Sequence, residues 1–200
     1  EQATNAVYIW SQRTTKPYRG MRPGRAVQFE TADIEALRTQ VAEAKLICPR
    51  NQLGGYQGGN NVSRGTKAGA FSVMGDVPEF LVVHPLTITS GRFLNKIDVD
   101  DKRKVAVIGS RVREVLFAKD EDPLDQHIRI NGVSFRVIGT FSPIRSGGDD
   151  NNEQTQQIVV PFTTFQSAFH FGDRVGWFAL TPQDGMPAKA LEDRALAVLK

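Results

Sequence analysis

Apolar and polar positions along this chain follow several rhythms in turn, and they are densest from Lys104 to Pro143. Val105-Ala106-Val107-Ile108 is a continuous apolar run closed by Gly109, the pattern of a strand covered on both faces. Ser110 stands where an N-cap belongs, and Val112, Val115 and Leu116 follow at helical spacing, so one face of a two-turn helix is apolar. Asp120-Glu121-Asp122-Pro123 stops that helix, because proline cannot continue it and the acids favour water. Ile128 and Ile130 then alternate with His127 and Arg129, as in a strand with one buried face. Asn131-Gly132 supplies the positive φ angles of a type I′ turn, and Val133, Phe135 and Val137 form the buried face of the return strand.

The same reading extends along the rest of the chain. Asn5 to Arg13 has the aromatic and β-branched content of a strand, and Thr14 to Arg25 is a loop with two prolines and two glycines. Thr31 or Asp33 caps a helix with apolar positions at Ile34, Leu37, Val41 and Ala44. Leu46-Ile47-Cys48 begins a strand that Pro49 is expected to cut short, and Gly54 to Asn61 is a glycine- and asparagine-rich loop. Val62 to Thr66 and Ala70 to Met74 read as a hairpin pair, followed by a short helix near Pro78 to Val83. Arg145 to Thr155 is expected to be a loop too polar to bury, Ile158-Val159-Val160 a strand, and Thr163 to Phe169 a short helix. Val175 to Thr181 is another strand, and the last helix, near 188–199, has Leu191, Ala195 and Val198 on one face. Strands and helices alternate in mixed order without a solenoid repeat, so the fold class is α+β.

Composition adds bounds. Two hundred residues with 40% hydrophobic content can bury a real core, and a net charge of +3 demands no polyanionic partner. A single cysteine, Cys48, allows no internal disulfide framework, which suits the cytosol and equally a periplasmic domain of this size. No apolar run is long enough to span a bilayer and no signal peptide is visible; the chain also lacks an initiating methionine and ends inside an apparent helix, so it is expected to be a segment of a longer polypeptide.

Candidate sites are few. The Gly54–Gly59 loop lacks the lysine and hydroxyl residue that end a phosphate loop, and Gly109 is a lone glycine between strand and helix. Ser110 sits in IGSRV without the second glycine of a nucleophile elbow. His84, His127 and His170 share no ligand spacing with one another or with Cys48. Asp149, Asp150 and Glu153 lack the alternation of a calcium loop, and Asp98, Asp100 and Asp101 beside Lys102, Arg103 and Lys104 read as a charged surface connection. No residue is therefore assigned a catalytic, cofactor-binding or metal-binding role, and no cofactor is expected. Arg13, Lys16, Arg19, Arg22 and Arg25 interleave with Tyr8, Trp10 and Tyr18, a mixture suited to single-stranded nucleic acid, to anionic lipid headgroups or to an exposed loop of scattered charges.

The central block carries a resemblance. "KVAVIG", "VLF" and then "DP-L-x-Q-x-I-x-I-x-G-x-x-F-x-VIG", preceded by Gly91-Arg92-Phe93, resemble the extracytoplasmic core domain of MacB-type, FtsX-like ABC transporter permeases. The likeness is clear over 86–143 and weaker elsewhere; Asp125 stands where that family usually has glycine. The resemblance implies a porter-like subdomain of βαβ units, formed by 1–83 and 173–200, around a small α/β insertion at 84–172. It also implies a non-catalytic domain of an inner-membrane protein, facing the periplasm, that transmits ATP-driven movement for export. Its implied partners are a second permease subunit (homodimer or pseudo-dimer), a cytoplasmic ATPase subunit or domain that carries the ATP hydrolysis, and in part of the family a membrane fusion protein. It favours lipid over nucleic acid as the neighbour of the basic, aromatic stretch. The alternative is an extracytoplasmic ligand- or protein-binding module without a transport role.

Overall fold

Continuous apolar runs become the centre of one sheet, and alternating runs become its flanks. The structure is a computed structural model that describes all residues except 1–4, 12–21, 23, 25, 56–57, 145–148 and 200, and only the backbone of 149–151. Strands β1 (Val7–Trp10) and β2 (Phe29–Glu30) precede helix α1 (Thr31–Gln40) and the long β3 (Ala44–Gly54). Next come β4 (Val62–Arg64), β5 (Lys67–Gly69), β6 (Ser72–Asp76), α2 (Phe80–Val83), β7 (Thr87–Gly91) and α3 (Lys96–Asp100). The central block forms β8 (Val105–Gly109), α4 (Ser110–Leu116), β9 (His127–Ile130) and β10 (Val133–Ser142). The chain closes with α5 (Asp149–Thr155), β11 (Gln157–Pro161), α6 (Phe162–Ala168), β12 (Arg174–Val175), β13 (Trp177–Pro182) and α7 (Ala188–Val198).

Eleven of the described strands make one mixed sheet in the order β1-β13-β3-β6-β11-β8-β10-β9-β4-β5, with β7 also paired to β10; β2 and β12 pair separately. The β6–β11 and β8–β10 ladders are parallel and the others antiparallel. This is the mixed α+β architecture expected. The fully apolar β8 lies inside the sheet with all five residues buried, as a strand covered on both faces must.

The two faces have different covers. Val7, Ile9, Phe178 and Leu180 share a core with Ile34 and Leu37 of α1 and Leu191 and Ala195 of α7. Ala106 and Ile108 of β8 pack with Val112 and Leu116 of α4 and Phe165 of α6. Helix α6 joins these cores, since Phe162 belongs to the first and Phe165, one turn on, to the second. On the other face, Cys48 and Ala179 pack under Phe80 and Val83 of α2, while Val105, Val107 and Val159 pack with Leu94 and Trp177. Phe117, Phe135, Phe141, Phe165 and Phe178 are among the largest fully buried side chains, each stabilising the fold by roughly 1.5–3 kcal/mol.

Several expectations change. β3 runs straight through Pro49, which pairs with Phe178 of β13, whereas the ladder with β6 starts only at Asn51. Pro49 therefore has a strand on one side only, where a missing N–H leaves the ladder intact. The hairpin partner of β4 is β5, not the following apolar run, which becomes the central β6. Asp149–Thr155, expected as loop, is helix α5. Ser110 is the first residue of α4, its cap position is taken by Gly109, and no side-chain cap bond forms. A Cβ at Gly109 would strike the Thr155 carbonyl, so glycine stands there for the close approach of α5. Glu30 rather than Thr31 precedes α1, and its amide donates to the Asp33 carboxylate at 2.7 Å. The Asn131-Gly132 turn has both φ angles positive, +48° and +80°, as a type I′ hairpin needs.

Candidate functional site

Sheet register dictates which polar side chains meet. Trp10, Trp177 and Arg50 occupy one row across β1, β13 and β3, and cross-strand neighbours in a row share a face. Trp10 stacks on Trp177 with ring centroids 4.6 Å apart, and the Arg50 guanidinium lies 5.2 Å from the Trp177 ring centroid and 3.6 Å from that of Phe80. The same guanidinium forks onto buried Asp76 at the end of β6, at 2.5 and 3.0 Å. A planar guanidinium suits both contacts at once, which lysine could not provide. Trp10, at the outer end of this ladder, is 53% exposed.

Two further arginine–carboxylate forks clamp other joints. Arg64 of β4 holds Glu121 at 2.9 and 2.6 Å, tying the β4–β5 hairpin to the turn after α4. That hydrogen bond holds the Glu121 carboxyl below its usual range. Arg92 binds Asp98 at 2.6 and 3.1 Å, and Asp98 also accepts from the Asn95 amide while Asn95 accepts from its own. Burial alone would raise the Asp98 pKa, but the Arg92 and Asn95 bonds and the Arg92 and Arg103 charges outweigh it, so the carboxyl titrates below its usual range. Asp98 is thus a buried anchor of α3, not the surface acid expected from its neighbours.

The candidate sites fall as follows. Cys48 is buried beside Asp76 and Glu79, and burial foremost pushes its thiol up to about 12, so it stays protonated and unreactive. His84 stacks on Phe80 with centroids 6.2 Å apart and contacts Gln154 of α5; burial lowers its pKa and favours the neutral ring. His127 and His170 are exposed, as is Glu153. Gly54 and Gly59 have positive φ, and Gly54 sits tight against Asn61, so these glycines serve the backbone's turns. Asp100 and Asp101 stay at the surface, pairing with Lys96 and Arg103. Among the described residues no group of three or more histidine, cysteine or acidic side chains is placed to hold a metal. Of the basic, aromatic stretch, Tyr8, Trp10 and Arg22 are exposed; Arg13, Lys16, Tyr18, Arg19 and Arg25, like the side chains of Asp149 and Asp150, lie outside the described residues. Sequence reading missed the three forks. Only the Arg92–Asp98 pair had a local signal, the capping spacing Asn95-x-x-Asp98; the partners of Arg50 and Arg64 are 26 and 57 residues away.

Residues 1–198 of the chain match the MacB-like periplasmic core domain family. The chain belongs to that family. Gly91-Arg92-Phe93 and Asp125, the positions that carried and departed from the resemblance, now have physical roles: Gly91 has φ +67°, Arg92 holds Asp98, and Asp125 takes φ +63° in place of glycine. The macrolide export ATP-binding/permease protein MacB of Bdellovibrio bacteriovorus is 28% identical over 141 residues, which is 70% of this chain and 20% of that protein. The pyoverdine export ATP-binding/permease protein PvdT of Pseudomonas entomophila is 32% identical over 104 residues, 51% of this chain and 15% of that protein. The chain thus spans about a fifth or less of the length of these relatives. Two solved structures share the fold. The periplasmic region of MacB from Actinobacillus actinomycetemcomitans superposes with TM-score 0.78 at 23% identity, over 100% of this chain and 84% of that one. The extracellular domain of the ABC-type transporter YknZ from Gram-positive bacteria gives 0.79 at 16% identity, over 98% and 92%.

Proposed function

We propose that this MacB-like periplasmic core domain is the non-catalytic extracytoplasmic part of an inner-membrane ABC transporter permease. It passes on, as rigid-body movement, the change driven by ATP hydrolysis on a separate cytoplasmic domain or subunit. The observation that carries this reading is mechanical continuity: a single sheet and the shared helix α6 join the core made by both ends of the chain to the core of the central block. In this reading residues 1–83 and 173–200 form the porter-like lobe and 84–172 the inserted one, with the β4–β5 hairpin riding on β9 of the latter. A displacement applied at the chain-end lobe then reaches the inserted lobe undiminished, because close-packed cores transmit strain. The domain works against a second copy in the permease pair and, in a tripartite assembly, against a membrane fusion protein. That relatives are named for macrolide and pyoverdine export supports a cargo among exported small molecules.

The test uses the parent permease with its ATPase in proteoliposomes, carrying spin labels at exposed Lys67 and Lys189; buried Cys48 stays unlabelled. ATP with vanadate is expected to change the distance between equivalent labels on the two subunits while the Lys67–Lys189 distance within one domain holds. Unchanged distances between subunits under ATP would refute the reading.

A further inference from the structure

Strands β10, β9, β4 and β5 lie side by side at one end of the sheet. Ile128, Ile130, Phe135 and Val62 turn one face of this patch into the core under α4. On the opposite face His127, Arg129, Ser134 and Arg136 are exposed and Ser63 is half-buried. Cross-strand neighbours in a row share a face. The register puts Ser134, Arg129 and Ser63 in one row, and Arg136 and His127 in the next. Arg129 therefore stands in the middle of an open face with a hydroxyl on either side. Among the described residues its guanidinium has no hydrogen bond or ion pair, and neither hydroxyl has a partner. Every other described arginine in a strand or helix is paired with a carboxylate or bonded to a carbonyl. Arg136 is only loosely answered, by Asp125 at 3.8 Å, whose side chain is 80% exposed.

We propose that this face binds an acidic, extended segment of a partner protein, with carboxylates at alternate positions. Arg129 and Arg136 are diagonal neighbours on adjacent strands, about 7–8 Å apart. Alternate residues of an extended chain point the same way at a spacing of about 6.6–6.8 Å. One carboxylate of such a segment thus reaches Arg129 while the next reaches Arg136. The hydroxyls of Ser63 and Ser134 can donate to the first carboxylate from both sides, and bonds to an ionised acceptor are the stronger ones. Each exposed ion pair contributes little alone, so recognition rests on the matched spacing, and it weakens with salt. A second copy of the same face is a poor occupant, since guanidinium would meet guanidinium. The proposal stands whether or not the domain moves with ATP.

The experiment titrates the isotope-labelled chain at low salt with a capped peptide of alternating glutamate and threonine, and with its glutamine counterpart. The Arg129 and Ser134 amides and the Arg129 Nε are expected to shift with the glutamate peptide alone, and added salt to reverse the shifts. Arg129→Gln, at an exposed position with no partner to lose, is expected to weaken binding roughly fivefold, the upper range for an exposed pair. Asp125→Asn is expected to strengthen it about twofold by freeing Arg136, and asparagine tolerates the left-handed backbone of that position. Arg111→Gln, on the exposed side of α4, is expected to leave affinity unchanged. No shift at millimolar peptide, equal shifts with the glutamine peptide, an equal loss in Arg111→Gln, weaker binding by Asp125→Asn, or tighter binding of a sulfated glycan at the same residues overturns the proposal.

Discussion

At the scale of single residues, Asp98 shows how much stability one buried carboxylate can hold. Its side chain has no exposed surface, while its partner Arg92 is 41% exposed and can rehydrate. Asp98→Ala removes the fork and the capping contacts of α3 together, and about 3 kcal/mol is expected, the low end for breaking a buried pair; urea unfolding at neutral pH measures it. The folded-state pKa of Asp98 lies below its ordinary value. Its contribution is therefore complete above the unfolded value, near 3.9, and disappears as pH falls from there through the folded value. Unfolding free energies between pH 2 and 5, roughly that window, are expected to show a shallower acid slope for Asp98→Asn than for the native chain. His84 behaves alike at a higher pH. Burial depresses its pKa, so stability is complete above about 6.5 and declines as pH falls from there toward the folded value. His84→Gln is expected to flatten the decline of the thermal midpoint between about pH 7 and 5; an unchanged decline counts against it. Neither role stood out along the chain: Asp98, for all its capping spacing from Asn95, sits among Asp100, Asp101 and three cations and so looked like surface, and the Gln154 beside His84 is 70 residues away.

Elements, one scale up, depend on backbone approaches that only glycine permits, and two glycines separate the effects. Gly132 has φ +80° with nothing near its absent Cβ, so Gly132→Ala costs only the left-handed backbone, about 1–2 kcal/mol. Gly139 in β10 lies against the Arg92 backbone, where a Cβ would overlap the carbonyl oxygen and crowd the Arg92 amide nitrogen at 3.1 Å. Backbone cannot swing aside as a side chain can, so Gly139→Ala is expected to cost about 3 kcal/mol. Denaturant midpoints of the two variants test this order; equal losses contradict it. The Gly132 turn was legible because Asn-Gly carries its geometry locally. Gly139 was not, because its constraint comes from residues 91–92, which reach it only once β7 pairs with β10. The same limit explains the misassigned hairpin: the short, polar Lys67–Gly69 carries no strand pattern of its own, and only pairing with β3 and β11 makes Ser72–Asp76 a central strand.

For the whole molecule, the question is whether the chain-end core and the central core are separable. A division at 84 and 172 follows the chain, and family likeness suggested it, but the order of strands across the sheet has no signature in sequence. The β6–β11 ladder, five parallel pairs from Ser72↔Gln157 to Asp76↔Pro161, crosses that division in the middle of the sheet. Gly75 lets Phe165 lie directly on it, at a distance where a Cβ would approach the Phe165 Cβ to 2.7 Å. The two proposed lobes, joined through so apolar a seam, are expected to share one unfolding transition, since opening either exposes the other's buried surface. Phe165→Ala is accordingly expected to destabilise by about 3–5 kcal/mol. The informative readout is where that loss is felt. Native-state hydrogen exchange is expected to speed equally at Leu37 in the chain-end core and at Val112 in the central core, although only Val112 shares a cluster with Phe165. Acceleration at Val112 alone would mean that the lobes open independently, and a domain that opens at its seam cannot carry movement from one lobe to the other.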